Sequence, residues 1–268
     1  MTQGSLSGVG VLVTRPDGQA EGLCRRIRAE GGLPETLPTI AIEPSGDACE
    51  RFMTDIGIHR FGAAIFVSAN AVANAVPLLL ASGPLSPDLA VIAVGPGTAR
   101  ALREFGLPQV IVPDDGADSE AVLRLPVLSS GQRRRVVIFS GEGGRTFLQD
   151  TLRDRGAEVD VVSCYRRALP PTIPAAARSR ILEGTIHAVT CTSSEGLRNL
   201  YGGMLSADLA ERLRRVLHVV SHPRIAQTAR ECGATDIVLA DAGDDAIVET
   251  LLARLGSVPA RSDLSRAQ

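Results

Sequence analysis

Ala64–Val72 reads AIFVSANAV: an apolar run from Ala64 to Val67 breaks at Ser68, and small residues follow. The same arrangement returns as VTCTSSEGL over Val189–Leu197, where Ser193 stands 125 positions after Ser68. Two more pairs keep nearly the same spacing. VLVTRP at Val11–Pro16 matches VIFSG at Val137–Gly141, with 126 positions between Thr14 and Ser140. VGPGTAR at Val94–Arg100, closing at Gly106, matches SHPRIAQ at Ser221–Gln227, closing at Gly233, 127 positions on. A near-constant offset over three ordered blocks means a duplicated domain, since solenoid repeats run to only a few tens of residues. Two like domains facing each other are expected to form a cleft, a preferred place for a small ligand.

Outward from these blocks, short Val/Ile/Leu runs recur at Val9–Val13, Ala64–Val67, Val91–Val94, Val110–Val112, Val136–Phe139, Ile186–Thr190, Val216–Val220 and Asp236–Leu239. Amphipathic stretches separate them. Ala20, Leu23, Cys24 and Ile27 have helical spacing with Gly31 as the stop, and Phe147, Leu148, Thr151 and Leu152 repeat the pattern before Gly156. Strands apolar throughout are buried on both faces, as in parallel sheets. The alternation predicts an α/β protein with two similar doubly wound parallel-sheet domains. Two segments break it: LPETLPTIAIEP at 33–44, with three prolines, and VDVVSCYRRALPP at 159–171. They read as extended connectors that could pair into a two-stranded β connector, or as further strands of each sheet. The polar tail at 257–268 is expected to be disordered.

The 268 residues suit two domains, and 44% apolar against 22% charged residues is the balance of a globular protein. No apolar run approaches the ~20 residues of a membrane span. The opening MTQGSLSG has no signal-peptide pattern, so a cytoplasmic location is expected, with no membrane partner. Five scattered cysteines, never in Cys-x-x-Cys spacing, read as reduced and mostly buried. A net charge of −2 argues against a nucleic-acid partner. All 28 basic residues are arginine. Without lysine there is no Schiff-base lysine, pyridoxal anchor or P-loop lysine.

No familiar cofactor or metal signature remains. Thr14 leads into RPDGQ rather than a dinucleotide loop, and Gly95-Pro96-Gly97-Thr98-Ala99-Arg100 lacks the third glycine of that fingerprint. The four histidines have no metal spacing; His187 and His218 read as satisfied core groups. Ser193 is outside a nucleophile elbow. What remains is positional: Thr14, Arg15, Ser68, Ala69, Asn70, Gly95, Thr98, Ser140, Gly141, Ser193, Ser194, Ser221 and His222 fall at the carboxyl ends of predicted strands. Ligands of open parallel sheets bind there, against the free N–H groups of the following helices. Singly, each hydroxyl is better explained as a helix cap. As a set on both halves, they point to an anion-lined cleft.

VLVTRP at 11–16, FVSANAV at 66–72, AVGPGTARAL at 93–102, TSSEGLRNL at 192–200, VVSHPRIAQTAREC at 219–232 and GDDAIVETL at 243–251 together resemble the uroporphyrinogen-III synthase family, in order from Val9 to Leu255. The resemblance implies that the chain crosses between domains and back: one from 1–36 with 172–256, the other from 42–160, with 33–44 and 159–171 as interdomain connectors. It implies closure of the linear tetrapyrrole hydroxymethylbilane to uroporphyrinogen III with inversion of the last ring and loss of water, needing no metal or cofactor. Because the substrate ionises by itself, positioning should matter more than acid–base strength. The substrate is a polycarboxylate, so local donors must hold it: strand-end N–H groups and hydroxyls, with Arg15 or Arg145 at the rim, while Arg224 could reach a carboxylate or stand as a solvated surface group. Tyr165 matches the family's connector tyrosine, whose phenol could assist departure of the substrate hydroxyl. A monomer is the expected state. The competing expectations are a non-catalytic cleft protein for an anionic metabolite and a nucleotide-using transferase.

Overall fold

The computed structural model describes residues 5–45, 47–129 and 135–256. The predicted disordered tail, 257–268, lies outside the described residues. The chain divides into two compact units: the first takes 1–41 and 168–268, and the second is the continuous stretch 42–167.

The chain begins the first unit with β1 (Gly10–Val13), α1 (Glu21–Ala29) and β2 (Leu33–Thr36). Next come β3 (Ala41–Pro44), α2 (Ala48–Arg51), β4 (Ala63–Phe66), α3 (Ala69–Ala81), β5 (Ala90–Ala93), α4 (Pro96–Glu104), α5 (Ser119–Leu123), β6 (Arg135–Gly141), α6 (Phe147–Asp154) and β7 (Glu158–Ala168). It finishes the first unit with α7 (Ala175–Leu182), β8 (Ala188–Cys191), α8 (Ser194–Asn199), α9 (Ala207–Arg214), β9 (Leu217–Val220), α10 (Pro223–Glu231), β10 (Asp236–Leu239) and α11 (Asp244–Leu255). The first sheet has the order β10-β9-β8-β1-β2, the second β3-β7-β6-β4-β5.

Alternation along each strand sends side chains to both faces. In the first unit, Val11 and Val13 pack with Leu23, Ile27 and Leu251, while Leu12 joins Leu197, Leu209 and Leu213. In the second, Ala64, Phe66, Val137 and Phe139 pack with Val72, Val76 and Leu79, while Ile65, Val136 and Ile138 meet Val122, Leu148 and Leu152. Each unit is therefore doubly wound, and each fully buried Leu or Ile contributes about 1.5–3 kcal/mol.

The two extended segments are strands that also belong to the sheets. The segment after α1 first pairs with β1 as parallel edge strand β2. It then becomes β3, beside β7. The Ser45 N–H donates to the Cys164 carbonyl at 3.0 Å, and Arg166 pairs with Glu43 at 2.7 Å. β7 in turn runs parallel to β6 from Glu158. One expected strand fails: Val110–Val112 contributes a single bridge, Ile111 to Ile92. Pro108 and Pro113 flank it and supply no N–H for a longer ladder.

Candidate functional site

In the second unit the strand ends open into a pocket of about 620 Å³. Ser68 stands just past β4, Ser140 and Gly141 end β6, and Ser163 and Tyr165 come from β7; all line it. The loop 142–146 and the residues around Asp118 complete the wall.

The backbone explains why Tyr165 arrives here. β6 and β7 run in step to Ser140 opposite Ser163; the register then shifts, and Gly141 faces Tyr165. A bulge of this kind re-aims side chains near strand ends. The Glu142 N–H donates to the Tyr165 carbonyl at 2.8 Å, fixing the shifted register. The ring is 3% exposed, yet its hydroxyl lies 3.1 Å from Ser68 Oγ. Ser68 is the N-cap of α3, and its Oγ accepts the Ala71 N–H at 3.1 Å. A Cβ added at Gly141 would lie 2.6 Å from Tyr165 Cζ, 2.8 Å from Cε2 and 3.0 Å from Oη, so only glycine leaves this space to the ring.

Charge in the pocket is mixed. Arg145 and Arg167 are exposed on its lining. Of the acids, Asp118 is engaged as the cap of α5, accepting from the Ala121 N–H at 2.8 Å, and Glu142 accepts from Ser45 Oγ. Arg145 has no ion pair among the described residues. Next to Tyr165, the buried Cys164 thiol is held well above the ordinary thiol range, first by its hydrogen bond with Cys49 and then by burial. It is no thiolate nucleophile.

The pocket thus brings together five of the residues singled out from sequence: Ser68, Ser140, Gly141, Arg145 and Tyr165. Ala69 and Asn70 begin the first turn of α3 without lining it, and the Asn70 carbonyl accepts from Asn74 Nδ2 at 2.8 Å. Gly95 caps α4 with extended backbone; its Cβ position lies 2.9 Å from Ala117, so here glycine serves packing. Thr98 is buried in the first turn of α4.

The remaining candidates stand at the strand ends of the first unit, and several are already engaged. Thr14 is buried and donates to the Thr190 carbonyl at 2.8 Å. Arg15 pairs with Asp244 at 2.7 Å. Ser193 caps α8 by accepting the Gly196 N–H at 3.2 Å, and Ser194 accepts from Thr228 Oγ1 at 3.1 Å. His222 caps α10 through Nδ1, which accepts the Arg224 N–H at 3.1 Å. Ser221 is half-buried and Arg224 exposed. His218 is a satisfied core group, fully buried, with Nε2 2.7 Å from Tyr201 Oη and Nδ1 2.9 Å from the Val216 carbonyl. His187, expected to match it, is exposed and accepts the Gly10 N–H at 2.9 Å. Sequence reading had Gly141 only as a strand-end neighbour of Ser140 and did not single out Ser163 or Arg167, although each stands two residues from Tyr165 along one strand.

Two doubly wound units, related by internal repetition and carrying a hydroxyl-rich strand-end pocket, define an internally duplicated α/β ligand-binding protein. The family model described as uroporphyrinogen-III synthase HemD matches residues 21–249. The chain is 32% identical over 246 residues to the uroporphyrinogen-III synthase of Escherichia coli K12, covering 90% of this chain and 99% of that protein. It is 28% identical to the enzyme of that name from Synechococcus elongatus, covering 86% and 89% respectively. Among solved structures, uroporphyrinogen III synthases from Thermus thermophilus (a mutant; 20% identity, TM-score 0.54, 91% of this chain and 97% of that one) and Helicobacter pylori (14%, 0.55, 91% and 99%) share the fold. The chain belongs to the uroporphyrinogen-III synthase family.

Proposed function

We propose that this chain is a cyclising lyase that converts hydroxymethylbilane to uroporphyrinogen III in tetrapyrrole biosynthesis. The observation that carries the reading is the family match over nearly the whole chain. The Tyr165–Ser68 pair in the pocket gives it a chemical partner.

The reaction begins when the hydroxymethyl C–O bond breaks, its electron pair leaving with oxygen and a conjugated cation remaining. The substituted carbon of the last pyrrole attacks that cation and forms a spiro intermediate. This fragments and recloses with the ring inverted, and the carbon closing the macrocycle gives up its proton. Water is the net loss. Tyr165 is the residue we place at the departing oxygen, its O–H donating as the bond breaks. Arg145 and Arg167 at the rim offer charge-assisted hydrogen bonds to substrate carboxylates, with Ser140 and Ser163 as neutral donors. The substrate is self-reactive, so holding the last ring for attack decides the product.

Among the described residues no helix is long and apolar enough to cross a membrane. Action as a cytoplasmic monomer on a small molecule, without nucleic acid, completes the proposal; the net charge of −2 supports the last point. The test is an assay with freshly made hydroxymethylbilane and separation of the I and III isomers. Formation of type III above background is expected. Type I alone at the spontaneous rate would overturn the reading.

A further inference from the structure

We infer that Gly141 and Ser68 are positioning residues that act through Tyr165: the first makes room for its ring, the second orients its hydroxyl. The inference rests on the proposed reaction for its catalytic meaning, but its geometric half does not depend on that reading.

The register shift at Ser140/Gly141 sets Tyr165 directly against Gly141, and the Glu142 N–H holds the tyrosine backbone there at 2.8 Å. The absent Cβ lies 2.6–3.0 Å from Cζ, Cε2 and Oη, the end of the ring that carries the chemistry. Gly141 has no positive φ, so its backbone accepts alanine without strain. An added methyl therefore acts on the ring, pushing the phenol off its seat. At the other side, Ser68 Oγ is fixed by the Ala71 N–H at 3.1 Å and sits 3.1 Å from the phenol oxygen. With that N–H accepted, the Ser68 proton is free to turn toward Tyr165. When the phenol gives its proton to the departing hydroxyl, forming water, the Ser68 O–H donates to the phenolate oxygen and keeps its own proton. The proton lost from carbon at final closure restores the phenol, and the cycle balances.

Two kinds of measurement test this. The chain has two tyrosines and no tryptophan, so ring-labelled tyrosine gives two NMR signals, and Tyr165→Phe assigns the one of interest. Gly141→Ala and Ser68→Ala should shift the Tyr165 signal and leave that of Tyr201 in place. An unmoved Tyr165 signal in both variants would overturn the inference whatever the protein catalyses. In turnover, Ser68→Ala should lower kcat about tenfold with KM little changed, the loss of one hydrogen bond to a developing charge. Ser68→Thr, which keeps hydroxyl and cap, should recover most of it. In a Tyr165→Phe background Ser68→Ala should cost nothing further, and in a Tyr165→Ala background Gly141→Ala should be silent. Full, independent losses in those backgrounds would show that neither residue works through Tyr165. A wild-type protein without type III activity would instead count against the proposed reaction, leaving the NMR outcome to decide the positioning.

Discussion

The two units repeat one architecture and spend it differently. The offset of 126 that relates Thr14 to Ser140 also relates Thr39 to Tyr165. Thr39 is buried and donates to the Thr14 carbonyl at 3.0 Å; Tyr165 lines a pocket with its hydroxyl against Ser68. Strand-end polar groups of the first unit close on one another, Thr14 to Thr190 and Arg15 to Asp244. In the second unit Ser68 caps α3 and meets Tyr165, and the pocket opens beside them. The cores differ too: all six phenylalanines fall in the second unit, four of them in ring contact with centroids 4.9–5.7 Å apart. Duplication supplied two sets of strand ends, and the pocket lined by Ser68, Ser140 and Tyr165 opens at those of the second unit.

The largest effect should come from the aromatic core. Phe139→Ala removes the ring stacked on Phe66 and edge-on to Phe52 and should cost about 3–5 kcal/mol, read by urea unfolding. Hydrogen exchange in the variant should show the loss concentrated in residues 42–167; equal loosening of both units would erase the distinction. Next, Tyr165→Phe should lower turnover about tenfold without unfolding the protein. Thr39→Val, at the matching position, should cost about 1 kcal/mol of stability and leave turnover within twofold. If the two lose activity equally, the asymmetry fails.

Acid should also separate the units. Burial lowers the pKa of His218 in the folded first unit. A folded value below the unfolded ~6.5 gives a contribution that is whole above that pH and lost as pH falls through the folded-state value. The slope is at most about 1.4 kcal/mol per pH unit for one proton. Hydrogen exchange below pH 6 should therefore loosen the first unit before the second, and His218→Gln should flatten that dependence. Smallest of all, Asp244→Ala removes the partner of Arg15, and the cost should be under about 1 kcal/mol and fall with salt. A larger, salt-independent loss would mean that this strand end does more than tie itself down.

Much of the fold was legible because parallel strands announce themselves as Val/Ile/Leu runs and the helices between them by spacing. Val110–Val112 misled because its composition suits a strand while its flanking prolines limit the ladder. Ser68 and Tyr165 were readable as candidates, the first by position and the second by resemblance. Their meeting was not: it depends on a one-residue slip between β6 and β7, and no local pattern encodes the register of two strands across a helix. Gly141 was readable as a strand-end residue, but its purpose was hidden for the same reason, since that purpose lies in an aromatic ring 24 positions away. Nor could sequence tell that Thr14 and Arg15 would turn to Thr190 and Asp244, because both partners come from the far side of the second unit in the chain.

That chain order has a consequence for biogenesis. Residues 42–167 form one uninterrupted stretch whose first and last strands, β3 and β7, are neighbours, whereas β1 must wait for β8, Ala188 pairing with Val11. On a ribosome the inserted unit can collapse as soon as β7 emerges, and in doing so it draws the loose ends of its host together. The entropy of closing so long a loop is then met before the host sheet is assembled. Lesions in the inserted unit should thus hinder maturation of a sheet to which they contribute no residue.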